Sequence, residues 1–129
     1  MPTIIDVHSH VWKFPGHFTD DFRNQASERA KADEELDLTS THEGYEATVP
    51  EGEDYIRIVF GGKGKLSGIW VDDNYVADFV KQHPTKAIGF LAVDPTQPNW
   101  QEELEYGHQE LGMCGVKLMP MYAGFMPQD

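Results

Sequence analysis

The sequence predicts an α/β chain of about four β/α units, with parallel strands joined by crossover helices. Three observations lead there. Four short apolar runs of strand length recur along the 129 residues. The stretches between them carry helical apolar spacing or helix-starting residues. The third run, Ala87-Ile88-Gly89-Phe90-Leu91-Ala92-Val93, is nearly continuous in hydrophobicity, as parallel strands covered on both faces tend to be. An order of β-α-β-α-β-α-β argues for a parallel sheet.

Taken in order, the first run is Thr3-Ile4-Ile5-Asp6-Val7-His8, β-branched and extended in character. Asp20-Asp21 then cap a helix expected from Phe22 to about Leu36, and a long acidic connection follows. Residues 32–56 hold nine acidic residues and no Lys or Arg, which reads as a solvated connecting segment. The second strand is Tyr55-Ile56-Arg57-Ile58-Val59-Phe60, closed by Gly61-Gly62. Asp72-Asp73 precede Tyr75-Val76-Ala77-Asp78-Phe79-Val80, an amphipathic helix expected to end at His83-Pro84. The third strand stops at Asp94-Pro95. Pro98-Asn99 opens a helix through Trp100, Leu104 and Leu111, with Gly112 placed to end it. The fourth strand is Gly115-Val116-Lys117-Leu118-Met119, stopped by Pro120.

Eight such units closing into a barrel need about 250 residues. Four strands here leave two architectures, an open four-stranded sheet or half of a barrel. The apolar segment 121–129, read as a loop with no covering helix, favours the half barrel. Residues 1–129 are thus expected to form one unit, with the β1–β2 connection at about 13–54.

Composition narrows the class of function. A net charge of −12 repels phosphate backbones and argues against a nucleic-acid partner. No apolar run is long enough for a membrane span, and the N-terminus lacks a basic segment followed by an apolar one. The single cysteine, Cys114, excludes an intramolecular disulfide framework and fits a cytoplasmic location.

The residues with most chemical content are Asp6-Val7-His8-Ser9-His10, at the end of the first strand. Side chains two apart on a strand share a face, so His8 and His10 can present two imidazoles to one cation. Spacing alone is a weak signal: six histidines produce roughly a quarter of such a pair by chance. Its place at the end of the first hydrophobic strand makes it specific, since active sites of parallel α/β barrels lie at the strands' C-terminal ends.

In this respect the chain resembles the metal-dependent amidohydrolase superfamily. The branch is the amidohydrolase 2 group, with decarboxylases of the aminocarboxymuconate-semialdehyde and resorcylate type. The resemblance rests on an ordered set of segments. These are Ile5-Asp6-Val7-His8-Ser9-His10, Ile58-Val59-Phe60-Gly61, Ile88-Gly89-Phe90-Leu91-Ala92-Val93-Asp94-Pro95 and Leu111-Gly112-Met113-Cys114-Gly115-Val116-Lys117-Leu118-Met119-Pro120. It implies a TIM-type (β/α)₈ barrel holding a divalent metal, zinc or sometimes manganese. His8 and His10 would be its first two ligands, with further ligands on the fifth, sixth and eighth strands. It also implies hydrolysis or non-oxidative decarboxylation of a small carboxylated substrate, and a dimer. With only four strands present, the isolated chain is expected to bind metal weakly and to be inactive alone. The rival expectation is a non-catalytic half barrel that self-associates through its open edges.

Several other residues carry expectations. Lys117 occupies a place similar to the carboxylated lysine that bridges two metals in binuclear members; its other reading is a lysine paired in the barrel or snorkelling to its rim. Trp12 can wall a substrate pocket or simply pack. Asp94 reads as a turn starter more than as a site residue. Gly61-Gly62-Lys63-Gly64-Lys65 lacks phosphate-loop spacing and reads as a flexible loop at the mouth, where Lys63 or Lys65 would attract an anionic substrate. His17, His42, His83 and His108 are expected to face solvent, and Cys114 to be a buried structural thiol.

Overall fold

The computed structural model describes residues 2–129. Its elements are β1 (Ile4–His10), α1 (Asp20–Ala30), α2 (His42–Glu46), β2 (Tyr55–Phe60), β3 (Lys63–Gly64), β4 (Ile69–Trp70) and α3 (Asp73–Gln82). They continue with β5 (Ala87–Gly89), β6 (Leu91–Val93), α4 (Trp100–Gln109), β7 (Val116–Leu118) and α5 (Pro120–Ala123). β1, β2 and β5 form one parallel sheet in that order, and β6 pairs in parallel with β7. The mixed α/β class and the parallel pairing are therefore as the alternation of runs predicts.

The third run divides where the prediction had one strand. Ala87–Gly89 pairs with β2, whereas Leu91–Val93 pairs with β7 on the other side. Phe90 is the hinge of this exchange: its N–H donates to Val59 O at 2.9 Å, and the N–H of Leu91 donates to Gly115 O at 2.9 Å. Gly115 is required there, because a Cβ on it would stand 2.3 Å from the Phe90 ring.

β1 carries one extra residue against β2. Asp6 pairs with Arg57 and Ser9 with Val59, so three steps on β1 face two on its neighbour. Such a bulge re-aims side chains locally, and it lies within the Asp6-Val7-His8-Ser9-His10 segment.

Helix α1 ends at Ala30, earlier than expected. Its cap is Thr19, whose hydroxyl accepts from the Phe22 N–H at 3.3 Å, and Lys31 closes it in the left-handed conformation at φ 51°. Continuation would bring Asp33, Glu34 and Glu35 to the negative end of the helix dipole, which opposes them. Helix α3 starts and stops as its pattern predicts, with Asp72 at the N-cap position, making no side-chain cap hydrogen bond, and its end at His83 before Pro84. α3 lays Val76 and Ala77 into a core completed by Val11, Val59, Val71, Ala87, Leu91, Val93 and Met113. In α4, Gly107 lets the helix approach β6, since a Cβ there would lie 2.9 Å from Leu91 Cδ2.

Two expectations about connections are corrected. Residues 61–65 do not form a flexible loop: Lys63 and Gly64 pair antiparallel with Trp70 and Ile69. Residues 121–129 are not wholly irregular either, because Pro120 at the first helical turn starts α5, which Gly124 ends at φ 78°. The acidic β1–β2 connection also does more than solvate. It contains α2, capped by Thr41, and its residues Leu38, Thr39 and Ser40 bind β1 and the segment after it.

Candidate metal-binding site

His10 is the last residue of β1 and His8 stands two before it, and their rings meet. The two Nε2 atoms are 3.3 Å apart. Two nitrogens each about 2.0–2.1 Å from a tetrahedral zinc lie roughly 3.3–3.4 Å from one another, so the pair fits the spacing of adjacent zinc ligands. Phe60, at the end of β2, sets both rings edge-on, with centroids 5.3 Å from His8 and 4.8 Å from His10.

The tautomer of His10 follows from its partner. Nδ1 lies 2.9 Å from Gly61 O, and a carbonyl only accepts, so Nδ1 carries the proton. Burial, the largest cause, pushes the His10 pKa down to about 4; the Gly61 hydrogen bond works against it, while His8 and Lys117 add to it. The ring is therefore neutral at pH 7, and its Nε2 presents a lone pair toward His8. A neutral imidazole oriented through its other nitrogen by a carbonyl has the form that metal-ligating histidines take.

The backbone around the pair is fastened from three sides. Asp6 Oδ1 accepts the His8 N–H at 2.9 Å, and its Oδ2 accepts the Tyr45 hydroxyl at 2.9 Å. Ser40 Oγ donates to His10 O at 2.6 Å, and Trp12 Nε1 donates to Leu38 O at 2.6 Å. The strap from α2 thus holds β1 in register. No local pattern in the sequence marks Ser40 or Tyr45 as partners of β1, since each pairing spans at least 30 residues.

His8 and His10 open onto a cleft of about 340 Å³ that also meets Trp12, Lys117, Met119 and Tyr122. Trp12 lines the cleft and also packs, stacked on His10 and edge-on to Phe18. Lys117 reaches the same cleft from β7, with Nζ 4.7 Å from the centre of the Phe60 ring. The lining contains no Asp or Glu. Among the described residues, no group of three or more His, Cys, Asp or Glu side chains converges as a metal cage would.

Other candidates lie away from the cleft. Asp94 is buried and acts as the turn residue expected, its Oδ1 accepting from Thr96 N at 3.0 Å, and its Oδ2 also accepts the Lys65 N–H at 2.9 Å. Lys63 does not face the mouth as an anion attractor. It is buried against Asp73 at 2.9 Å and Glu103 at 2.8 Å, two carboxylates from α3 and α4 that its own surroundings in sequence do not reveal. Lys65 is exposed, over the Trp70 ring.

Three of the four remaining histidines differ from expectation. His108 is exposed, but His17, His42 and His83 are half-buried. His42 of α2 and His83 at the end of α3 stack with centroids 3.7 Å apart, using flat imidazole faces to join the strap to the helix. Cys114 is exposed rather than buried, just before β7, with its N–H donating to Gly89 O at 3.3 Å.

The fold and the site together define a class: a parallel α/β chain bearing paired imidazoles in a cleft at its strand ends. No family model matches the chain, and no curated protein matches it. Among solved structures it is similar to that of a probable 2-pyrone-4,6-dicarboxylic acid hydrolase from Acinetobacter baumannii with citric acid bound. Identity is 15%, the match covers 92% of this chain and 50% of that one, and the TM-score is 0.47. The chain thus spans half the length of the protein it matches. Among the described residues, no helix is long and apolar enough to cross a membrane.

Proposed function

We propose that this chain carries the two-histidine part of a divalent-metal site in a hydrolase or non-oxidative decarboxylase of small carboxylated molecules. The observation that carries the proposal is the 3.3 Å approach of His8 and His10 through their Nε2 atoms, with His10 held neutral and oriented by Gly61. Zinc suits two imidazoles, and manganese is the alternative that the family resemblance implies. When bound, the metal supplies Lewis acidity to a substrate oxygen. His8 and His10 would hold it; the Gly61 carbonyl fixes the His10 ring, and Trp12 shields one face of that ring from water.

Two imidazoles fall short of the three protein ligands that a catalytic zinc normally has. The proposal therefore includes a further donor from outside residues 2–129, and a barrel of which the parallel strands β1, β2, β5, β6 and β7 form half. On this account the 129 residues alone bind metal weakly and do not turn over substrate.

A second reading is a non-catalytic half barrel that self-associates, as a dimer. It is favoured by the exposure of Ile5 at 66% and of Val116 and Leu118 at 45% each, apolar side chains on the two outermost parallel strands.

Metal content of protein grown with added zinc or manganese, beside a His8→Ala/His10→Ala variant, tests the first reading. Metal bound by the parent and absent from the variant supports it. A metal-free dimer unaffected by the double substitution overturns it in favour of the second.

A further inference from the structure

We propose that Lys117 is the substrate-binding residue of this cleft: an ammonium that anchors the carboxylate of a small, flat, largely apolar anion, and not a metal ligand. The inference rests on the reading of the His8–His10 cleft as the substrate site.

Charge is the first ground. The chain has 22 acidic and 10 basic residues, yet the cleft wall holds Lys117 and two histidines and no carboxylate. Three other lysines, Lys63, Lys81 and Lys86, have carboxylate partners in ion-pair contact, and none of them lines the cleft. Lys117 is half-buried and is not among those so paired. A partly desolvated cation facing a concave apolar wall is a recognition element for an anion.

The second ground is where the nitrogen sits. Nζ lies 4.7 Å from the Phe60 centroid. The face of an aromatic ring carries negative potential and attracts an ammonium. A carboxylated lysine, as a bridging metal ligand must be, would place an anion on that same face and be repelled. The position suits the charged amine and disfavours the carbamate.

Shape supplies the rest of the ligand class. Trp12, Met119 and Tyr122 line the cleft with flat or pliable apolar surface. A cleft of about 340 Å³ accommodates a molecule the size of a substituted ring and not a polymer. Lys117 would fix the carboxylate, and the ring would lie along the aromatic wall toward the histidines.

The test uses benzoate and its neutral isostere benzamide as probes, with the full chain stripped of metal, so that its outcome does not depend on the metal site. Binding is read by ligand-observed NMR titration for the parent, Lys117→Met and Lys117→Arg, with folding checked by circular dichroism. Expected are at least tenfold tighter binding of benzoate than of benzamide, loss of that preference in Lys117→Met, and its retention within about threefold in Lys117→Arg. Equal binding of the two probes by the parent, no benzoate binding, or an unchanged preference in Lys117→Met would overturn the inference while leaving the histidine pair untouched. Zinc uptake is measured on the same variants. If Lys117→Met takes up less zinc than the parent, Lys117 belongs to the ligand set and the inference falls. If the parent takes up none, the metal reading fails separately, and the charge preference is still decided by the probes.

Discussion

The ring of His10 lies against that of Trp12, centroids 4.1 Å apart and planes 19° from parallel. Trp12 is in turn tied to the strap by its Nε1 hydrogen bond to Leu38 O. The orientation of a site residue thus depends on an aromatic two positions away and on a connection 26 residues further along the chain. Trp12→Ala is expected to cost about 3 kcal/mol of stability, in the range of large aromatic truncations. Trp12→Phe keeps the stack and loses one hydrogen bond, at about 1 kcal/mol. Urea unfolding measures both, and zinc titration of the two variants should show weakened binding in the alanine variant alone.

Gly61 offers a sharper perturbation of the same site. A Cβ there would stand 2.4 Å from Val71 Cβ, a branched side chain at a fully buried position with no room to retreat. Gly61→Ala should therefore shift the backbone whose carbonyl orients His10. Overpacking of this kind costs about 1–3 kcal/mol. The measurable outcome is a lower unfolding midpoint together with a changed His10 resonance environment.

The pH dependence has a definite sign. His10 in the folded chain protonates at about 4, below its ordinary value of 6.5. Between these values the unfolded chain holds the proton and the folded chain does not, so acid favours unfolding. The contribution of His10 to stability is full above pH 6.5 and is lost as pH falls toward 4. His17 and His83 are lowered by burial as well and act in the same direction. NMR titration of metal-free protein should give His10 a midpoint near 4; a midpoint near 6.5 would contradict the burial that lowers it.

Much of this arrangement was legible in the sequence, and the parts that were not have a common cause. β2 and α3 follow from periodicity and caps that act within a few residues, and His8 and His10 meet because a strand's own two-residue repeat puts them on one face. What periodicity cannot express is pairing at long range. The two-residue strands β3 and β4 are too short to show a period. Lys63 looks like a mouth lysine until Asp73 and Glu103, 10 and 40 residues away, are brought against it. Phe90 divides an unbroken apolar run because its two halves pair with different neighbours.

Lys63 gives the clearest test of those long-range contacts. Its side chain is 3% exposed and that of Asp73 5%, so removing the ammonium leaves a carboxylate buried without its counter-ion. Lys63→Met should destabilise by about 3–5 kcal/mol. Burial already pushes the Asp73 carboxyl up, against the pull of Lys63. In the variant the Asp73 carboxyl loses the pull of Lys63 and is expected to move further up, and a Lys63→Met/Asp73→Asn double variant should recover most of the loss. Chemical denaturation of the two singles and the double decides it.

The most direct test of the account is a zinc titration at pH 7 followed by long-range ¹H–¹⁵N NMR of the imidazoles. The account predicts that the Nε2 resonances of both His8 and His10 shift together with added zinc, while Nδ1 of His10 keeps its proton on Gly61. Zinc that leaves both rings unmoved, or that moves His10 through Nδ1, would contradict it.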